Sequence, residues 1–134
     1  MSDTPLEQAT RRSRIDYRMR RRALLQQVAA GTVRVEDVTD AHPDLLRAAS
    51  HIGVAAGQPC PLCDVDLSQV TYIFDDDRRR HPGGRALSPA SLERELARWG
   101  ELEIYVVEVC RACRWHHLLE SFVLVAPATG VDTG

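Results

Sequence analysis

The chain contains neither lysine nor asparagine, and all 17 of its basic residues are arginine. Both missing residues have AT-rich codons, so the simplest explanation of their absence is a GC-rich genome. The absence still has a chemical consequence. Every cation other than histidine is a planar, permanently charged guanidinium group, which suits carboxylate and phosphate partners.

The sequence also lacks long apolar runs and a signal-peptide core and has few aromatic residues, and each of these features limits what kind of protein it can be. No apolar run approaches the roughly 20 residues that a membrane helix requires, so we expect no membrane association. The first ten residues hold no apolar core of the kind found in signal peptides, which predicts a cytoplasmic protein. Aromatic residues make up only 5% of the 134 residues, which leaves few rings for stacking on nucleic-acid bases.

All four cysteines fall into two C-x-x-C pairs, Cys60 with Cys63 and Cys110 with Cys113. Each pair can present two thiolates to one ion, and two pairs complete the tetrahedral set that zinc prefers, with Zn–S distances of about 2.3 Å. We therefore predict one Zn²⁺ site with these four residues as ligands. The 46 residues between Cys63 and Cys110 exceed a finger loop, which predicts a folded insertion.

Other uses of the cysteines remain open. Two disulfides would require an oxidising compartment. A redox dithiol would require a C-x-x-C at the start of a helix, whereas Cys60 follows a Gly-Gln-Pro run and Cys110 lies between β-branched stretches. His116 or His117 could replace one cysteine as a ligand, but four thiolates already close a structural site.

The hydrophobic pattern predicts an α+β fold in two units. Residues 1–53 are expected to form a small, arginine-rich helical unit whose long helix ends at Gly31, with a further helix beginning at Pro43.

The second predicted unit, residues 54–125, reads as a zinc-ribbon domain. Its expected elements are a three-stranded antiparallel sheet and an inserted helix at 88–99, with strands at 70–74, 103–109 and 117–125. Residues 75–84 read as a charged loop, and residues 126–134 as a disordered tail.

Charge is distributed unevenly along the chain. Residues 1–30 carry seven arginines and three acids, a net of +4, whereas the remainder carries −6. Arginines recur at helical spacing in the first segment, and the candidate binding residues are Arg11, Arg14, Arg18, Arg21 and Arg22. Such a ladder can neutralise phosphates, and it can equally contact the acidic remainder of the same chain.

Besides the two cysteine pairs, three stretches are distinctive: residues 15–25 (IDYRMRRRALL), 36–49 (EDVTDAHPDLLRAA) and 105–110 (YVVEVC). With these motifs the chain resembles, over roughly residues 14–124, an uncharacterised actinobacterial family of domain-of-unknown-function proteins. The resemblance implies a cytoplasmic zinc-ribbon protein from a GC-rich actinomycete and supplies no activity or partner.

Neither a set of serine, histidine and acid nor an open metal position is evident, so we expect no enzyme and no small-molecule substrate. We predict a non-enzymatic zinc-ribbon protein that binds nucleic acid, RNA polymerase or the ribosome through the arginine-rich helix. The alternative is a protein–protein adaptor with a purely structural zinc site, in which the arginines contact an acidic protein surface. A dithiol redox protein is a third hypothesis, which the sequence supports less well.

Overall fold

The computed structural model describes residues 5–74 and 84–127. Its helices are α1 (Pro5–Gln8), α2 (Arg18–Ala30), α3 (Pro43–Ile52) and α4 (Pro89–Trp99), with one 3-10 turn at Val35–Asp37. Its strands are β1 (Thr10–Asp16), β2 (Val54–Pro59), β3 (Asp66–Phe74), β4 (Arg85–Leu87), β5 (Glu101–Val109) and β6 (His116–Val125).

The six described strands form one sheet in which every pairing is antiparallel. The strand order is β1-β6-β5-β3-β2, and β4 pairs with β3 outside this path. The centre of the sheet consists of three long strands, β3, β5 and β6. Strand β3 pairs with β5 from Ser68 to Phe74, and β5 pairs with β6 along its whole length.

Helices cover both faces of the central strands, since neighbouring residues of a strand point to opposite faces. On one face Ile104 of β5 packs in a core cluster with the fully buried Leu96 of α4. On the other face Val70 of β3 packs with Leu45 of α3. The sheet is therefore the middle layer of the fold.

Local signals account for the bounds of the helices. Ser88 caps α4 by accepting a hydrogen bond from the backbone N–H of Ser91 at 3.2 Å, and Pro89 occupies its first turn. Gly31 and Gly100 end α2 and α4 in the left-handed region, with φ of 82° and 80°. Within the described ranges, no helix has the length and apolar character needed to cross a membrane.

The predicted helical N-terminal unit is wrong in its first part, whereas helices α2 and α3 lie where two of its helices were predicted. Residues 10–16 form strand β1, which pairs with β6 and thereby joins the same sheet as the cysteine hairpins. Its residues are all exposed, so no buried stripe marks it as a strand in the sequence. The pairing with β6 decides its conformation, since strand formation depends more on neighbours than on intrinsic preference.

The predicted three-stranded zinc-ribbon sheet is also wrong, because the described residues form a six-stranded sheet. Residues 54–59 read as a Gly and Pro linker, yet they form edge strand β2 against β3, where small residues and a terminal Pro59 are tolerated. The predicted charged loop lies outside the described residues except for Gly84. The predicted tail lies outside them from residue 128 onward.

Candidate metal centre

The two cysteine pairs are the turns of two β-hairpins. Cys60 and Cys63 lie between β2 and β3, whereas Cys110 and Cys113 lie between β5 and β6. The antiparallel register of β3 with β5 places Ser68 opposite Val109, so the start of β3 lies beside the end of β5. Both turns therefore emerge at the same end of the sheet, although 46 residues separate Cys63 from Cys110.

The two turns have the same backbone hydrogen bonds. In the first, the N–H of Cys60 donates to the carbonyl of Val65 at 2.7 Å and the N–H of Asp64 to the carbonyl of Cys60 at 3.0 Å. The second repeats this spacing, with the N–H of Cys110 donating to Trp115 at 2.8 Å and that of Arg114 to Cys110 at 2.9 Å.

Each turn also has a left-handed residue directly after its second cysteine, with φ of 70° at Asp64 and 74° at Arg114. Non-glycine residues adopt this conformation infrequently. Its recurrence at matching positions supports the view that the two turns are one structural unit used twice.

The four thiols converge on one point, because their Sγ atoms all lie within 4.8 Å of one another. Between the hairpins, the Sγ atoms of Cys60 and Cys113 lie 3.7 Å apart and those of Cys63 and Cys110 lie 3.4 Å apart. Four sulfurs at about 2.3 Å from one ion would lie about 3.8 Å apart in a tetrahedron. All four cysteines are free, and the cluster can hold a metal ion.

The pKa values of the thiols indicate which cysteines must lose a proton when a metal ion binds. Burial raises the pKa of Cys60 and raises that of Cys113 to about 12. Burial also acts to raise the pKa of Cys110, but hydrogen bonds from the backbone N–H groups of Cys113 and Ala112 outweigh it and lower this pKa. Coordination to a divalent cation deprotonates thiols outright, so metal binding at this cluster releases protons.

A buried ion pair links the cluster to helix α2. The carboxylate of Glu108, whose side chain is 1% exposed, accepts hydrogen bonds from Nε of Arg21 at 2.5 Å and from Nε1 of Trp115 at 2.7 Å. Trp115 is fully buried and packs in one core cluster with Cys60 and Cys110. Sequence reasoning missed this network, since Arg21 and Glu108 lie 87 residues apart.

Neither candidate histidine ligand belongs to the thiol cluster. His116 places Nε2 at 3.0 Å from Oδ1 of Asp40, and the ring of His117 stacks on Trp115 with centroids 5.9 Å apart. The structure therefore favours four cysteines over a mixed cysteine and histidine set.

The predicted arginine ladder does not exist as one helical face. Arg11 and Arg14 lie on β1, whereas Arg18, Arg21 and Arg22 lie on α2. This follows from the strand at residues 10–16, which breaks the helical spacing that the prediction assumed. Whether these residues bind a partner stays a prediction.

Most of the candidate binding arginines form ion pairs with acids of the same chain. Arg14 donates from Nε to Glu120 at 2.6 Å, and Arg11 lies 3.9 Å from the same carboxylate. The pKa of Arg14 is raised, chiefly by the hydrogen bond to Glu120. Arg18 contacts Asp16 at 3.3 Å, whereas Arg22 has no ion pair among the described residues.

The fold and the site together define an antiparallel-sheet protein with a cluster of four thiols, able to hold a metal ion, at the turns of two hairpins. Residues 8–133 match the model of a protein family described as "Family of unknown function (DUF5318)". The chain belongs to this family. This confirms the resemblance inferred from the motifs.

Curated relatives come from mycobacteria, which are actinobacteria. Uncharacterized protein Rv0049 of Mycobacterium tuberculosis and Uncharacterized protein Mb0050 of Mycobacterium bovis are each 40% identical to this chain over 116 residues, which cover 84% of this chain and 82% of the relative. No solved structure matches the chain significantly.

The ion pair between Arg21 and Glu108 yields a first prediction. Replacing Arg21 by Met leaves a buried carboxylate without its cation, which should lower the free energy of unfolding by about 3 kcal/mol. The matched control is Arg22→Met on the same helix, which should change it by less than about 0.5 kcal/mol. Urea unfolding of both metal-loaded variants measures the difference, and equal losses would contradict the buried pair.

The thiol cluster yields a second prediction. Cys63→Ser should reduce the bound metal from one ion per chain to almost none and lower the thermal midpoint by about 10 °C or more, because metal binding supplies folding free energy. Ala112→Ser changes an exposed residue of the second turn and should retain the metal. Elemental analysis with thiol titration measures both. Four freely reactive thiols in the unaltered protein, or two stable disulfides in reducing buffer, would exclude the site.

Proposed function

We propose that the protein is a non-enzymatic, cytoplasmic adaptor for a protein partner, in which one structural Zn²⁺ binds to Cys60, Cys63, Cys110 and Cys113. The observation that carries the metal assignment is the convergence of four free thiols within 4.8 Å. A tetrahedral set of four thiolates suits zinc or iron, and zinc is the usual ion of closed structural sites.

A structural role for the metal follows from the ligand number and the position of the site. Four protein ligands leave no open coordination position for a substrate or a reactive water, so the proposed ion would not act as a catalyst. The ion would join two hairpins that are remote in sequence, which stabilises the end of the sheet. Free thiols of this kind suit a reducing compartment, which supports the cytoplasm.

The contacts of the arginines favour a protein partner over nucleic acid. Arg11, Arg14 and Arg21 already contact carboxylates of their own chain. Binding to phosphates would exchange these pairs for new ones, which reduces the gain from neutralising a polyanion. The net charge of +4 on the N-terminal segment is thus largely balanced by acidic residues of the remainder. This agrees with the alternative that the arginines contact their own chain.

The outward face of α2 offers a surface for the adaptor role. Met19 is 82% exposed, and Arg22 lies three residues further on, which places both side chains on one side of the helix. Ile15, at the end of β1, is also exposed. Methionine and arginine are enriched in protein interfaces, and Arg22 would pair with an acidic partner surface.

The third prediction tests the partner class. The tagged protein should capture a partner from an actinobacterial lysate, and nuclease treatment should leave the capture unchanged. Met19→Glu combined with Arg22→Glu should reduce capture at least about tenfold by reversing the charge and removing the apolar contact. Arg98→Glu, an exposed change on α4, is the control and should have no effect. Loss of capture after nuclease treatment would instead identify a nucleic-acid partner.

A further inference from the structure

A groove of about 860 Å³ opens between the sheet, α2, the 3-10 turn and α3, apart from the thiol cluster. Its volume lies within the range of small-molecule pockets, about 300–1,000 Å³. We call it the aromatic groove and define it by four rings and two carboxylates, from Tyr17, Tyr72, Phe74, Tyr105, Asp37 and Asp40.

Aromatic residues are concentrated in this groove. The chain has three tyrosines and two phenylalanines, and the groove contains all three tyrosines and one phenylalanine. Tyr72 and Tyr105 lie directly opposite each other on β3 and β5. Phe74 packs edge-on against Tyr105, with ring centroids 5.0 Å apart. Backbone pairing and ring packing therefore hold the floor in place before any ligand arrives.

The rings of the floor are only half-buried, so part of each is open to the groove. Half-buried tyrosines combine a large apolar surface with a polar hydroxyl group, a combination that suits ligand recognition. Among the described residues, no guanidinium group stacks over Tyr72 or Phe74, whereas Arg20 lies 5.5 Å from the ring centroid of Tyr17 at one end. The negative ring faces of Tyr72 and Phe74 are thus available to a cation.

The carboxylates beside the groove add negative charge. Asp37 and Asp40 both line it and are both exposed. Asp37 pairs with Arg34 at 3.3 Å and Asp40 with His116 at 3.0 Å. His116 and Arg20 also line the groove, and Arg20 lies at its Tyr17 end. On the floor, burial chiefly, and the negative charge of Asp44 outside the groove in addition, raise the pKa of Tyr72.

We propose that the aromatic groove binds a small organic cation, an ammonium ion carried on an apolar or aromatic body. The apolar body would cover the half-buried floor at Tyr72, Phe74 and Val107, and the ammonium group would lie between the ring faces and the carboxylate of Asp40. None of the four cysteines lines this groove, and neither does Met19 or Arg22 of the proposed adaptor surface.

The fourth prediction compares three ligands of one shape. The zinc-loaded, full-length protein is titrated with 2-phenylethylammonium, with the neutral 2-phenylethanol and with the anionic phenylacetate, and amide chemical shifts are followed by NMR. The ammonium ion should bind at least about fivefold more tightly than either analogue, with shifts concentrated at groove residues. Equal binding of the alcohol, tighter binding of phenylacetate, or no groove shifts at about 10 mM would overturn the proposal.

Two variants test the contributions of Tyr72 and Asp40 to ammonium binding. Tyr72→Leu keeps apolar bulk but removes the ring, and it should weaken ammonium binding at least fivefold while changing binding of 2-phenylethanol little. Asp40→Asn removes a carboxylate at an exposed position and should weaken ammonium binding about threefold or more. Glu36→Gln, on the 3-10 turn just before Asp40 but outside the groove, is the matched control. An Asp40→Asn variant that binds like Glu36→Gln would contradict the proposal even if Tyr72→Leu fails to fold.

Discussion

The convergence of four thiols at the turns of two hairpins is the constraint on which the rest of the structure depends. The β3–β5 register brings the turns to the same end of the sheet, and the shared turn geometry aims two cysteines from each side at one point. Trp115 is buried against Cys60 and Cys110, and the Glu108 carboxylate beside it binds Arg21 of α2. A metal ion at this cluster would therefore stabilise a helix as well as two hairpins.

Electrostatics explains how a basic N-terminal segment and an acidic remainder form one fold. Edge strand β1 carries arginines that contact Glu120 on the adjacent strand β6 and Glu101 on the next strand, β5. Each exposed pair contributes about 0–1 kcal/mol, so these contacts orient the strand more than they stabilise it. The pair of Arg21 and Glu108 differs, because its carboxylate is buried. An arginine cluster in the sequence thus became a set of intramolecular contacts, which weakens the case for a phosphate-binding face.

The four-cysteine cluster could be predicted from the sequence because C-x-x-C spacing is a local property that fixes two candidate ligands at once. The six-stranded sheet could not be predicted in this way. Edge strand β1 pairs with β6, which is remote in the sequence, and the residues of edge strand β2 read as a linker. The aromatic groove was missed for a related reason. Tyr72 and Phe74 alternate along β3, but only the register with β5 brings Tyr105 against them. In both cases the structure depends on contacts between residues that are distant in the sequence, which a local sequence pattern does not specify.

X-ray absorption at the zinc edge of the purified, metal-loaded protein tests the central claim most directly, because it reports the number, type and distance of the atoms bound to the ion. The account predicts four sulfur atoms at about 2.3 Å and no nitrogen or oxygen ligand. The same spectrum should be obtained after all five histidines are replaced by glutamine. A mixed sulfur and nitrogen shell, or fewer than four sulfurs, would contradict a closed site formed by Cys60, Cys63, Cys110 and Cys113.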